Sequence, residues 1–302
     1  MSEPLAETIE YESVSFPGRL WDPFLPDISE GEPVTIAGHL TVPATDRPVP
    51  AVVIAHGCGG LGGAEWGWVD VLAEAGVAAF LVDSFGARGI TNICGGTETI
   101  NVASPIVDVY RAAEALDAHP YVDGSRLAVM GFSFGGRTAI WAEFARFQEA
   151  YEGHPFVGYI AFYPSTCFIE LEDEGEVVGG PLRIFHGTAD DYTPIDQCHR
   201  MVDRMSALGV DAEINEYPGA PHSFDNVMLG WSPIHMSLWA LSPRGCEFME
   251  QEGAIIDPET GQAAGVGSTC VERGVTYGYD EEAREQAEDD LLELLGRLFN
   301  EE

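Results

Sequence analysis

The chain has 302 residues, 45% of them hydrophobic, and sets fifty acidic side chains against fourteen basic ones for a formal charge of -36. All fourteen cations are arginine, and so acidic a surface repels nucleic acid and anionic membranes, leaving neither as an expected partner. Apolar runs such as "GVAAFLV" are far shorter than a membrane span and no linker, repeat or low-complexity tract intervenes, so 1–302 reads as a single domain.

The opening "MSEPLAETIEYESVSFPGRL" lacks the basic start and apolar centre of a signal peptide, which implies either a cytoplasmic chain or one written in mature form. Strand-like runs follow as "TIAGHLTVP", "PAVVIAHG", "AAFLVDSF", "RLAVMGFS", "GYIAFYP", "PLRIFHGT" and "AEINEYPG". Between and after them, helical spacing covers Ala64 to Ala75, Val102 to Ala118, Gly135 to Phe147, Ile195 to Leu208 and Glu281 to Phe299. Such alternation predicts an α/β fold with a mostly parallel central sheet and helices on both faces. In the last helix Ala283, Ala287, Leu291, Leu295 and Leu298 share one face, which should dock as a closing layer. From Gly230 to Tyr279 periodicity is lost among aromatics, turn residues and two cysteines, so a loop-rich insertion is expected at about 230–279.

In "RLAVMGFSFGG" a buried strand turns into a helix at Ser133, with Gly131 and Gly135 two residues to either side. That G-x-S-x-G spacing is the signature of a nucleophile elbow, which lifts a hydroxyl above the sheet edge beside the free N–H groups of a helix start. Partners are sought at other strand ends, where open α/β sheets gather their ligands. "HGTADDYTP" supplies Asp190 and Asp191, one of which can orient an imidazole while the other caps the helix that follows. "EYPGAPHSF" supplies His222, completing the chain order Ser, Asp, His. The glycine-rich "VVIAHGCGG" lets backbone approach a substrate closely, and Cys58 N–H with Phe134 N–H are the expected oxyanion donors. A phosphate cradle is disfavoured because the chain has no lysine and no G-x-x-x-x-G-K-[ST].

Taken together, "AHGCGG", "DSFGARG", "GFSFGG", "HGTADDYTP" and "YPGAPHSF" resemble the dienelactone hydrolase family of α/β-hydrolases over roughly Val52 to Phe224. The resemblance implies the α/β-hydrolase fold and places the acid at Asp190 rather than Asp191. It departs in two places: the name-giving enzymes use a cysteine where this chain has Ser133, and a glutamate in the oxyanion loop where it has Gly57. It also implies an arginine near Arg88 that binds a substrate carboxylate, one residue displaced here. The residues themselves equally allow Arg88 to pair with Asp83 or another acid.

The expected activity is hydrolysis of a small-molecule carboxylic ester or lactone through an acyl-enzyme, with no metal or organic cofactor. Amide cleavage or acyl transfer on the same fold, or a non-catalytic binding protein, are the alternatives. Trp66, Phe132 and Trp231 are candidate pocket-lining residues, although most aromatics in any domain are core.

No C-x-x-C spacing suggests zinc, and the six cysteines read either as buried thiols or as the pairs Cys58–Cys94, Cys167–Cys198 and Cys246–Cys270. Pairing would place the protein in an oxidising, extracytoplasmic compartment; free thiols would suit the cytoplasm. The acidity serves solubility or adaptation to high salt. If salt adaptation is right, the melting temperature should climb between low and molar sodium chloride as self-repulsion is screened, and a flat or falling trend refutes it.

Overall fold

The computed structural model describes residues 3–16, 31–96, 100–148, 153–230 and 234–300. Its central sheet has eight strands: β1 (Leu5–Ser15), β2 (Glu32–Val42), β3 (Val49–Ala55), β4 (Ala78–Asp83), β5 (Val122–Phe132), β6 (Tyr159–Phe162), β8 (Leu182–Gly187) and β9 (Ala212–Tyr217). They lie in the order β1-β2-β4-β3-β5-β6-β8-β9. β1 and β2 run antiparallel to each other, β2 is antiparallel to β4, and all later neighbours are parallel.

The inner strands are apolar on both faces, as a sheet covered twice requires. In β3, Ala51, Val53 and Ala55 enter one core while Val52 and Ile54 enter the other, and β5 divides Leu127 and Val129 from Ala128, Met130 and Phe132 in the same way. The first core is closed by α3 (Ala103–Asp117), α4 (Phe134–Trp141) and α6 (Ile195–Ala207). The second is closed by α1 (Gly63–Trp66), α2 (Val69–Glu74) and α7 (Glu281–Asn300).

Three expectations are corrected. The single helix at Ala64 to Ala75 is two short ones, broken at Gly67 and Trp68, and the indole of Trp68 is wholly buried. The helix at Gly135 to Phe147 stops at Trp141, and α5 (Ala145–Gln148) resumes after Phe144 bridges to Val177. β1 was not anticipated: its outer positions Glu7, Glu10 and Glu12 are charged, a composition that weakens the strand signal but protects a sheet edge from pairing with another chain.

The stretch expected to be loop-rich carries short strands between its loops. β10 (His235–Ser242) pairs with β14 (Glu272–Tyr277), while β11 (Phe248–Gln251), β12 (Ala254–Asp257) and β13 (Gln262–Ala263) form a sheet with β7 (Ile169–Glu170). The register of β10 against β14 shifts between Ser237 and Leu241, which breaks the period-2 pattern that would have revealed it.

Among the described residues no helix is long and apolar enough to cross a membrane. All six cysteines pair, as Cys58–Cys94, Cys167–Cys198 and Cys246–Cys270, at sequence separations of 36, 31 and 24. Closing loops of that size constrains the unfolded chain by about 3 to 4 kcal/mol each in the chain-entropy model. Thiol titration of the denatured, unreduced protein from its native compartment should therefore find no free thiol, and six free thiols would overturn the pairing.

Candidate active site

At the end of β5 the chain reverses into α4 through Ser133, whose φ of 53° and ψ of −107° are forbidding for a residue with a side chain. Tight packing holds it there. A Cβ on Gly131 would lie 1.9 Å from the carbonyl oxygen of Gly135, and one on Gly135 would lie 2.1 Å from that of Ala55. A Cβ on Gly136 would come within 3.0 Å of Phe162 O, so the run of glycines is what lets the helix start against the sheet. The turn is then locked by Ser133 N–H donating to Phe162 O at 2.9 Å and Ser165 N–H donating to Ser133 O at 3.0 Å. Strain of this kind persists only where surrounding structure over-determines it, and it clusters at functional sites.

Two strands along the sheet, β8 ends in the loop that carries Asp190. Its Oδ1 accepts the Tyr192 and Thr193 N–H groups at 2.8 and 2.9 Å, and its Oδ2 accepts the Thr193 hydroxyl at 3.0 Å. His222 Nδ1 lies 2.7 Å from the same Oδ2 and, facing an acceptor-only carboxylate, donates its proton there. Burial alone would raise the Asp190 carboxyl, but the charge and hydrogen bond of His222, with His186 and the Thr193 amide, outweigh it and hold the pKa below its ordinary value. The imidazole lies between two phenols, its ring centroid 4.5 Å from that of Tyr163 and 4.6 Å from that of Tyr192. A Cβ on Gly187 would sit 2.2 Å from Ala220 O, so this glycine brings the acid and histidine loops together.

The end of β6 joins the two halves, since Phe162 O takes the Ser133 amide and the next residue, Tyr163, packs on His222. No hydrogen bond links Ser133 Oγ to His222 Nε2 among the described residues; without substrate such contacts are commonly long. Below His222, fully buried Asp225 accepts Trp68 Nε1–H at 2.8 Å and Tyr163 O–H at 2.6 Å. Arg284 of α7 lies 3.5 Å over the Trp68 ring.

The glycine-rich loop after β3 is pinned from two directions. The Cys58–Cys94 bond ties it to the loop after β4, and Ile93 N–H donates to Cys58 O at 2.9 Å. From α1, Glu65 accepts Gly57 N–H at 2.9 Å and Gly62 N–H at 2.8 Å. Burial raises the Glu65 carboxyl against the lowering effect of those amides and His56. The sequence reading looked for an acid only at Gly57 and missed this one, which arrives from eight residues on. Among the described residues, the N–H groups of Cys58 and Phe134 are committed to no other acceptor.

Other candidates fall elsewhere. Arg88 does not face substrate: it pairs with Asp108 rather than Asp83, donating at 2.7 and 2.9 Å, and spends its remaining N–H groups on Ser15 Oγ, Ser84 O and Val14 O. With every donor used in a buried cluster, it cannot serve a substrate carboxylate. Phe132 is buried in the core against Phe162 and Tyr163. Trp66 is 46% exposed, its ring 5.6 Å from that of His39. Trp231 lies outside the described residues. Asp191 caps no helix; its Oδ1 accepts Thr276 N–H of β14 at 2.7 Å.

A model of the dienelactone hydrolase family matches residues 36–232. The uncharacterized peptidase YuxL of Bacillus subtilis is 25% identical over 185 residues, 51% of this chain and 27% of that protein, so the chain spans about a quarter of that relative's length. Two solved structures share the fold over nearly their whole length. One is the dienelactone hydrolase-like promiscuous phosphotriesterase P91 from metagenomic libraries, 18% identical with a TM-score of 0.61, covering 99% of this chain and 100% of that one. The other is a putative dienelactone hydrolase from Klebsiella pneumoniae, 16% identical with a TM-score of 0.59, covering 96% and 99%. Esterase 2 of Thermogutta terrifontis, solved after phosphorylation by paraoxon, is 22% identical with a TM-score of 0.51 over 70% of this chain and 86% of its own. The family match runs through the glycine-rich loop, the elbow and both loops that meet at Asp190 and His222, and the chain belongs to the dienelactone hydrolase family, with the α/β-hydrolase fold.

Proposed function

We propose that this chain is a serine hydrolase that cleaves carboxylic esters or lactones through an acyl-enzyme intermediate. The reading rests above all on the 2.7 Å contact of His222 Nδ1 with a buried Asp190 carboxylate, beside a serine held in an elbow conformation. With Nδ1–H given to Asp190, the lone pair of His222 is on Nε2, where a general base needs it.

As Ser133 Oγ bonds to the substrate carbonyl carbon, its proton passes to His222 Nε2 and the carbonyl π electrons move onto oxygen. The N–H groups of Cys58 and Phe134 receive that charge, the latter at a helix N-terminus. Asp190 stabilises the imidazolium, which returns its proton to the departing alkoxide as the C–O bond breaks. Water, deprotonated by the same nitrogen, then releases the acid and restores Ser133. The three disulfides support an oxidising compartment as the place where this happens.

Ser133→Ala should leave the fold intact and reduce ester turnover to the residue of activity, about 10³- to 10⁴-fold over water, that binding and the oxyanion site supply. A fluorophosphonate probe should label the wild type and not the variant; an unlabelled wild type would point to a binding protein instead. Asp190→Asn should lower kcat by about 10⁴-fold by disfavouring the working tautomer. In contrast Asp191→Asn, which keeps an oxygen for Thr276 N–H, should stay within about tenfold of wild type by the worth of one such hydrogen bond. The reverse order in steady-state assays would move the acid one residue along.

A further inference from the structure

Tyr192 is absorbed by neither the elbow nor the acid–imidazole pair, yet its side chain runs from His222 to the glycine-rich loop. Its backbone N–H is fixed by Asp190 Oδ1 at 2.8 Å, and its carbonyl accepts the Ser242 hydroxyl at 2.7 Å. From that anchored position the ring passes beside His222, with centroids 4.6 Å apart, and the phenol oxygen ends 3.7 Å from the Sγ of Cys58. The hydroxyl is therefore carried from the acid loop, past the general base, to the residue whose own N–H faces the developing oxyanion.

Its partner there is a poor one. A phenol in a half-buried site is best satisfied by an oxygen or nitrogen acceptor, whereas a disulfide sulfur accepts only weakly. Burial, with the nearby Asp190 charge, pushes the Tyr192 pKa well above its ordinary value, so the group is a neutral donor at any working pH. A donor that is protonated, positioned and weakly satisfied gains most from an oxygen that becomes anionic beside it, because charge-assisted hydrogen bonds are about twice as strong as neutral ones.

We propose that Tyr192 is a catalytic residue, its O–H donating a hydrogen bond to the substrate carbonyl oxygen as the tetrahedral adduct forms, alongside the N–H groups of Cys58 and Phe134. The proposal rests on the serine-hydrolase reading. Tyr192 keeps its proton throughout: Ser133 Oγ gains the bond to carbon, His222 takes the serine proton, and the phenol exchanges a sulfur contact for an oxyanion. The Cys58–Cys94 bond acquires a second task on this view, since it holds the sulfur that parks the hydroxyl between turnovers.

Tyr192→Phe in the full chain retains the ring beside His222 and removes only the donor. On a short-chain aryl ester kcat should fall by about 10²-fold, the usual cost of one oxyanion donor, with KM within about twofold. Affinity for a trifluoromethyl ketone, which forms the tetrahedral adduct, should fall by a similar factor while the product carboxylate binds as before. The pH–rate profile should not move, since His222 keeps its neighbours. Wild-type kcat in the variant would overturn the proposal, and so would a loss of rate accompanied by a displaced profile, which assigns the ring a packing role on His222. Fluorophosphonate labelling of the wild type tests the serine-hydrolase reading separately, so failure of one is distinguishable from failure of the other.

Discussion

The close approach of backbone to backbone at the β5–α4 turn is the constraint on which the rest depends. With Gly135 O where a Cβ of Gly131 would be, and Ala55 O where that of Gly135 would be, the helix begins almost in contact with the ends of β3 and β5. A side chain at either place would push α4 off the sheet, and with it the Ser133 hydroxyl and the Phe134 N–H. The strained φ of Ser133 follows from that geometry and is held by hydrogen bonds to the end of β6. Everything else in the site is a matter of bringing groups to a point already fixed.

They are brought by elements distant in sequence. The segment around β10 and β14 grips the acid and histidine loops: Ser242 holds Tyr192 O, Thr276 N–H holds Asp191, and Gly278 N–H donates to His222 O at 2.9 Å. Arg244 adds a bond to Asp191 O at 3.1 Å and to Glu272 at 2.7 Å. β10 also reaches the other side of the site, where Leu241 N–H donates to Cys94 O at 3.0 Å. The insertion thus bridges the disulfide-tied loop and the acid and histidine loops, and it carries its own disulfide, Cys246–Cys270.

The scarcity of cations shapes how they are used. Arg88 satisfies buried Asp108, Arg204 meets buried Glu174 at 2.8 Å, and Arg146 binds both Asp173 and Glu250, with its contact to Glu250 at 2.6 Å. Each joins elements far apart in the chain. A guanidinium suits that role because its planar fork serves several acceptors at once, whereas an ammonium is a more strongly hydrated point charge. Buried Glu65, Asp190 and Asp225 are held without arginine, by amide, imidazole, indole and phenol donors, while most other acidic groups lie toward solvent, where salt can screen them.

The sequence alone determined the alternation of inner strands and helices, the elbow, and the order of Ser133, Asp190 and His222, because each is written in local spacing, whereas it left the cysteines open between free thiols and three pairs until the structure brought them together. It did not reveal β1, β10 or β14, whose residues pair across long separations and whose alternation is masked by surface charge or interrupted by a register shift, nor the local hairpin strands β11, β12 and β13, which are only two to four residues long. Nor could it decide what Arg88 pairs with, that Glu65 supplies the carboxylate under the glycine-rich loop, or that Asp225 and Arg284 meet around Trp68. Those assignments belong to side chains whose partners lie far along the chain, Trp68 and Asp225 being 157 residues apart. A buried charge is satisfied by whatever packing brings within about 3 Å of it, and only the tertiary structure determines that neighbour.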